Sequence, residues 1–133
     1  MLPKDQVEEA YARLQTSHDF AQYVQDIKAL GVIKFVFHVA EGATIFHGKH
    51  GDMHTTAALY NDMYVMDMAA SASRMAVKPV LHQFMRGQVP FITFCQQMAD
   101  AGVARWVTNT RTMQAVYFNA GNYEVWSERV AGK

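Results

Sequence analysis

One stretch of this chain is written twice. Residues 20–35 read FAQYVQDIKALGVIKF and residues 91–106 read FITFCQQMADAGVARW. At the offset of 71, Phe20 matches Phe91, Gln25 matches Gln96, Gly31 matches Gly102 and Val32 matches Val103. The pairs Tyr23/Phe94, Ile27/Met98, Lys34/Arg105 and Phe35/Trp106 are close substitutions. The repetition predicts two pseudo-repeats, residues 1–72 and 73–133, and constrains the fold more than any single motif does. A chain of 133 residues is one domain by length. No linker rich in Gly, Pro or charge separates the halves.

Periodicity says what each unit contains. Pro3 suits a first helical turn, where its missing N–H costs nothing, and Val7, Ala10, Tyr11 and Leu14 then recur at helical spacing. Ser17 or Asp19 can cap a second helix with Phe20, Tyr23, Val24, Ile27 and Leu30 on its apolar face. Gly31 stands where a left-handed residue ends a helix. The period then drops to two: VIKFVFHVA and ATIFHG flank a Glu41-Gly42 turn, and DMHTTA and MYVMDMA follow as two further strands. In the second half a helix over roughly 74–86 has an uncertain start, because Pro79 interrupts the backbone ladder. Gly87 ends it, Pro90 opens the next helix and Gly102 closes that one. VARWVTNT, QAVYF and YEVWSERV complete the chain as strands. The order α-α-β-β-β-β, α-α-β-β-β is an α+β fold of two helix-helix-antiparallel meander units, with helices packed on one face of the sheet or sheets.

Alternation assigns the two faces. Phe35, Phe37 and Phe46, with their counterparts Trp106, Thr108 and Tyr117 and with Trp126 alongside, are expected to meet the helices. The other face carries Lys34, Val36, His38, Ile45 and His47 in one half and Arg105, Val107, Asn109, Val116 and Phe118 in the other. It is mixed in character. Lys34, Val36, His38, Arg105, Val107 and Asn109 form the candidate interaction surface.

Composition narrows the function. Twelve basic residues balance twelve acidic ones, which argues against nonspecific nucleic-acid binding. The single cysteine, Cys95, allows no intrachain disulfide and suits a reducing compartment. The N-terminal MLPKDQVEEA lacks the apolar run of a signal peptide, and no apolar run approaches the ~20 residues of a spanning helix. The expectation is a cytoplasmic protein that engages no membrane, needs no cofactor and binds an unknown protein partner or itself.

DFAQYVQDIKALGV (19–32), EGATIFHGKHG (41–51), LHQFMRGQVPFITFCQQMADAGVARWV (81–107) and YFNAGNYEV (117–125) together resemble the YbcV/YdfO-like family met in prophages, often labelled phage envelope protein. The resemblance spans nearly the whole chain and implies an α+β fold with no known activity. The chain departs from the pattern at Ala43, where many relatives have a histidine, and at Met98, where many have a second cysteine.

The most chemical-looking segment is FHGKHGDMH. It holds His47, His50, Asp52 and His54, residue types that ligate zinc and other transition metals. Turn glycines explain the same string as a solvated hairpin. Cys95 with His82 or His18 as base could form a nucleophilic pair. Its counterpart in the repeat, Val24, lies on an inner helix face, which favours a small buried hydrophobe. Met53, Met63, Met66, Met68 and Met75 crowd the region between the repeats, and core filling is the expected role. The leading function is a non-catalytic interaction or accessory protein. The alternative is a metal-binding or hydrolytic enzyme built on His47, His50 and His54, and a third, least favoured reading is a nucleic-acid binder using Lys34, Arg105 and Arg129.

Overall fold

The computed structural model describes residues 2–17 and 19–130. They form four helices and six strands: α1 (Lys4–Ser17), α2 (Phe20–Ala29), β1 (Val32–His38), β2 (Ala43–Gly48), β3 (Met53–Thr55), α3 (Ala70–Met85), α4 (Phe91–Asp100), β4 (Val103–Asn109), β5 (Gln114–Asn119) and β6 (Glu124–Arg129). The strands make one antiparallel sheet in the order β3-β2-β1-β4-β5-β6. The fold is α+β. Both halves contribute to a single sheet, joined at its centre by β1 and β4.

The pairing has a regularity that the sequence offset anticipates. In β1–β2, Val32 pairs with Gly48 and Phe35 with Phe46, with an irregularity between Val32 and Lys34. In β4–β5, Val103 pairs with Asn119 and Trp106 with Tyr117, with an irregularity between Val103 and Arg105. Each residue of the second set lies 71 places after its counterpart in the first. At the central seam Val36 faces Val107, Lys34 faces Asn109 and His38 faces Arg105. Gly31 and Gly102 both turn the chain from helix into strand at positive φ, +97° and +84°, a conformation that costs glycine no Cβ clash. Asp19 caps α2 by accepting from the Gln22 amide at 3.0 Å, and Ser17 is the last residue of α1.

Ring contacts run from the helices onto one sheet face. Tyr23 meets Phe35 edge-on at 5.5 Å, Tyr11 meets Phe46, Phe91 meets Phe37, and Phe94 lies 5.3 Å from Trp106. Phe84 of α3 stacks on Phe94 of α4 at 3.9 Å. Phe35, Phe37, Phe46, Trp106, Thr108 and Tyr117 are all buried here. Trp126 pairs with Tyr117 on the same face, half-buried under Arg74.

Three expectations for the region between the halves need correction. MYVMDMA is not a strand: residues 56–69 contain no helix or strand. The sheet edge stops at the three residues of β3, and beyond it the connector bonds one carbonyl at a time. Met63 N–H donates to the Ala40 carbonyl and Met66 N–H to the Ala99 carbonyl, each at 2.9 Å. Such isolated bonds to a turn and a helix end build no ladder. Helix α3 starts at Ala70 and runs through Pro79. Pro79 is exposed, so its ring faces outward, and apolar packing of Val77, Leu81 and Phe84 outweighs the one lost ladder bond. Core filling by methionine holds only for Met63, which is half-buried and packs against the core; Met68 is half-buried, and Met53, Met66 and Met75 are exposed. The exposed three sit on the edge strand, the connector and the outer side of α3.

Candidate interaction face

Among the described residues, the helices pack on one face of the sheet and leave the second face uncovered. A row of side chains crosses it from edge to edge through directly opposed residues: Thr55, Ile45, Val36, Val107, Val116 and Ser127. The four central members are aliphatic and half-buried. A solvated antiparallel face ordinarily alternates to polar residues, so a continuous apolar row here departs from that pattern. Polar rows flank it. His47, Lys34, Asn109, Gln114 and Arg129 oppose one another in sequence across β2, β1, β4, β5 and β6 on one side. On the other side His38 opposes Arg105, and Arg105 opposes Phe118. The Arg105 guanidinium lies 3.9 Å above the Phe118 ring, a cation–π arrangement that fixes the long side chain in place. The candidate residues Lys34, Val36, His38, Arg105, Val107 and Asn109 are therefore neighbours on β1 and β4. Ile45, Val116 and Phe118 extend the patch, and the offset that matches β1–β2 with β4–β5 was the signal for them.

Burial and the Lys34 ammonium hold the His47 imidazole below its ordinary range, so at neutral pH it sits on this face as an uncharged ring. The fixed charges among the flanking rows are Lys34, Arg105 and Arg129, with Glu124 opposite Phe118 as the acid at the margin.

The histidine cluster is divided by the sheet. His47 opposes Met53 and looks onto the open face, whereas His54 opposes Phe46 and looks toward the helices. His54 Nε2 lies 2.6 Å from Glu8 Oε2 of α1, and its ring stacks on Phe46. His50 is exposed in the turn between β2 and β3, and Asp52 folds back against Gly48. Among the described residues, no three His, Cys, Asp or Glu side chains gather in a way that could hold a metal ion. The edge-strand register is the cause: with His47 opposite Met53, His54 falls opposite Phe46, one residue out of step with His47, and the two rings point to opposite faces.

Cys95 is fully buried on α4. Burial pushes its thiol up to about 12, against a weaker opposing contribution from a hydrogen bond with Tyr60. The thiolate that a nucleophile requires is suppressed there. His82 is exposed on α3, and His18 lies outside the described residues. None of the helices is long and apolar enough to cross a membrane, among the described residues.

The chain matches none of the curated proteins with which it was compared. A family model described as protein of unknown function (DUF1398) matches residues 8–129, which include all six strands of the sheet, and the chain belongs to that family.

Proposed function

We propose that the protein is a non-catalytic interaction module that docks an acidic surface of a partner protein onto the open face of its sheet. One observation carries the reading: the unbroken aliphatic row Ile45, Val36, Val107 and Val116, flanked by Lys34, Arg105 and Arg129. An apolar centre inside a polar rim is the anatomy of a protein interface, and the half-buried aliphatic row lies outside the core on a face that carries such a rim. The charge of the rim selects the occupant. A second copy would bring Lys34 and Arg105 against their own kind, whereas an acidic partner complements them. The equal registers of β1–β2 and β4–β5 support reading residues 1–72 and 73–133 as two copies of one unit, which places like side chains on both sides of the central seam. The resemblance to prophage-encoded proteins, together with the lone buried cysteine, supports an accessory role in the cytoplasm of a bacterial host.

The test is affinity capture from a bacterial lysate with the wild-type chain and with Val36→Glu/Val107→Glu, alongside the mass of each in solution. The expected result is a protein retained by the wild type and lost from the double variant, both chains being monomeric and folded. A wild-type dimer that the double variant dissociates would assign the face to self-association. Retention that is unchanged in the double variant would remove the face from consideration.

A further inference from the structure

The two ends of the sheet differ in a way that neither the open face nor the family membership accounts for. At one end the connector is laid down against the chain. Met63 N–H donates to the carbonyl of Ala40 and Met66 N–H to that of Ala99, and the Met68 carbonyl accepts from Asn119 Nδ2 at 3.4 Å. The fit at Gly102 is close: a Cβ there would lie 2.9 Å from Ser73 Oγ, 3.1 Å from the Met66 carbonyl oxygen and 3.1 Å from Met68 Cβ. At the opposite end nothing among the described residues fills the equivalent place. A Cβ on Gly31 would meet no atom within 4 Å, and a cavity of about 360 Å³ opens there, lined by Lys28, Gly31, Ile33, Lys49, Thr110 and Arg111 among others.

The offset of 71 sharpens the contrast. Lys28 corresponds to Ala99 and Lys49 to Ala120, and Arg111 corresponds to Ala40. The correspondence extends to the backbone: Val39 N–H donates to the Ala104 carbonyl and Thr110 N–H to the Ile33 carbonyl, bonds that map onto each other. Where chain fills the groove, all three positions are alanine. Where the groove is open, all three are cations. Among the described residues none of Lys28, Lys49 and Arg111 has a carboxylate within 4.0 Å, in a chain whose net charge is zero. The Ala99 carbonyl accepts from Met66 in addition to the Ala101 and Gly102 amides at its own helix end, while its counterpart at Lys28 accepts from the equivalent Leu30 and Gly31 amides and lacks the connector's donor.

We propose that the Gly31 groove binds an extended acidic peptide segment of a partner protein, its backbone N–H groups bonded to the Lys28 and Arg111 carbonyls as those of Met66 and Met63 are bonded to Ala99 and Ala40. Its carboxylates pair with Lys28, Lys49 and Arg111. Main-chain bonds supply affinity that is indifferent to sequence, and the three cations select an acidic segment. The inference rests on the correspondence between the halves and is independent of the open face, since the groove lies at the loop end of the sheet.

The probe is a fluorescein-labelled peptide with the sequence NDMYVMDMAA, residues 61–70 of the chain, which carries the filled groove's own backbone pattern and two aspartates. Fluorescence anisotropy against the full chain is expected to show saturable binding that weakens with salt. Lys49→Glu/Arg111→Glu should weaken it by about tenfold or more while leaving the melting temperature unchanged, because both residues are exposed. The same peptide with both aspartates replaced by lysine should bind at least about tenfold more weakly. Absence of saturation up to about 1 mM would overturn the proposal. So would a single-stranded oligonucleotide that binds through Lys49 and Arg111 where the peptide does not, since the groove would then serve a polyanion. Binding abolished by Val36→Glu/Val107→Glu but indifferent to the charge reversals would also overturn it, and would leave the open-face reading in place.

Discussion

The two faces of this sheet share every backbone hydrogen bond and differ in what their side chains meet. On the helix side, Phe37 stacks on Trp106 at 4.6 Å, and Trp106 also touches Phe91, Phe94 and Tyr117. One residue further along β4, Val107 points the other way and is flanked by Val36 and Val116 with no layer above. Neighbouring residues on one strand are thus held by different physics. Trp106 sits in packed ring contacts at interior density, while Val107 is held by its strand neighbours alone and keeps apolar surface toward water. The difference teaches where this chain stores stability and where it keeps surface in reserve for a partner.

The largest effect should separate these two residues directly. Trp106→Ala removes the ring on which α4 rests and is expected to cost about 3–5 kcal/mol. Val107→Glu changes a half-exposed position and should cost no more than about 1 kcal/mol. Urea melts of the two variants measure both numbers, and equal costs would erase the distinction between the faces.

The next effect compares the two ends. Gly31→Ala forces a side chain into the left-handed region with free space around it, and should cost about 1–2 kcal/mol. Gly102→Ala carries the same strain and also drives a Cβ against the Met66 carbonyl and Ser73, so its loss should be clearly larger. A Gly102 variant as stable as the Gly31 variant would show that the connector yields without cost.

A smaller effect, of opposite sign, tests how dry the covered face is. Thr108 is fully buried opposite Phe35, and its Oγ1 has no hydrogen-bond partner among the described residues. Thr108→Val keeps the shape and removes the unsatisfied hydroxyl, and is expected to raise stability by about 1 kcal/mol. Destabilisation would indicate that the hydroxyl is satisfied by water.

The smallest effect belongs to His47 on the open face. Its folded pKa is lowered from the ordinary 6.5. As pH falls below 6.5, the unfolded chain therefore takes up a proton that the folded chain refuses, and the contribution of His47 to stability is lost toward the lower folded value. His47→Gln should flatten that part of the stability profile relative to wild type. Parallel profiles for the two proteins from pH 7 to about pH 5 would show an unperturbed imidazole.

Much of this arrangement was legible in the residues. Helical spacing in α1, α2 and α4, the terminating Gly31, Gly87 and Gly102, and the alternation of Phe35, Phe37, Trp106 and Thr108 all act within a few residues, where local sterics and burial agree. Legibility failed where an element had no periodic partner of its own. The connector, MYVMDMA, has strand-like composition, but no neighbouring strand offers it a ladder, and it bonds instead to a turn and a helix end. Pro79 suggested a boundary, yet the packing of Val77 and Leu81 carries α3 through it. The separation of His47 from His54 depended on the number of residues in a turn, which no composition argument supplies.

By itself the sequence determined the local elements of an α+β fold: helices and strands with one apolar side to each. It determined them because helix caps, positive-φ glycines and alternation are contacts between near neighbours. Only the tertiary structure decided that both meanders join through β1 and β4 into one sheet, and that the helices leave its second face bare. It alone brought Lys28 from the end of α2 together with Lys49 and Arg111 from two separate turns, around one groove left open among the described residues. Those outcomes depend on pairing between residues some seventy positions apart, where closing the chain costs entropy that only the assembled sheet and core can offset.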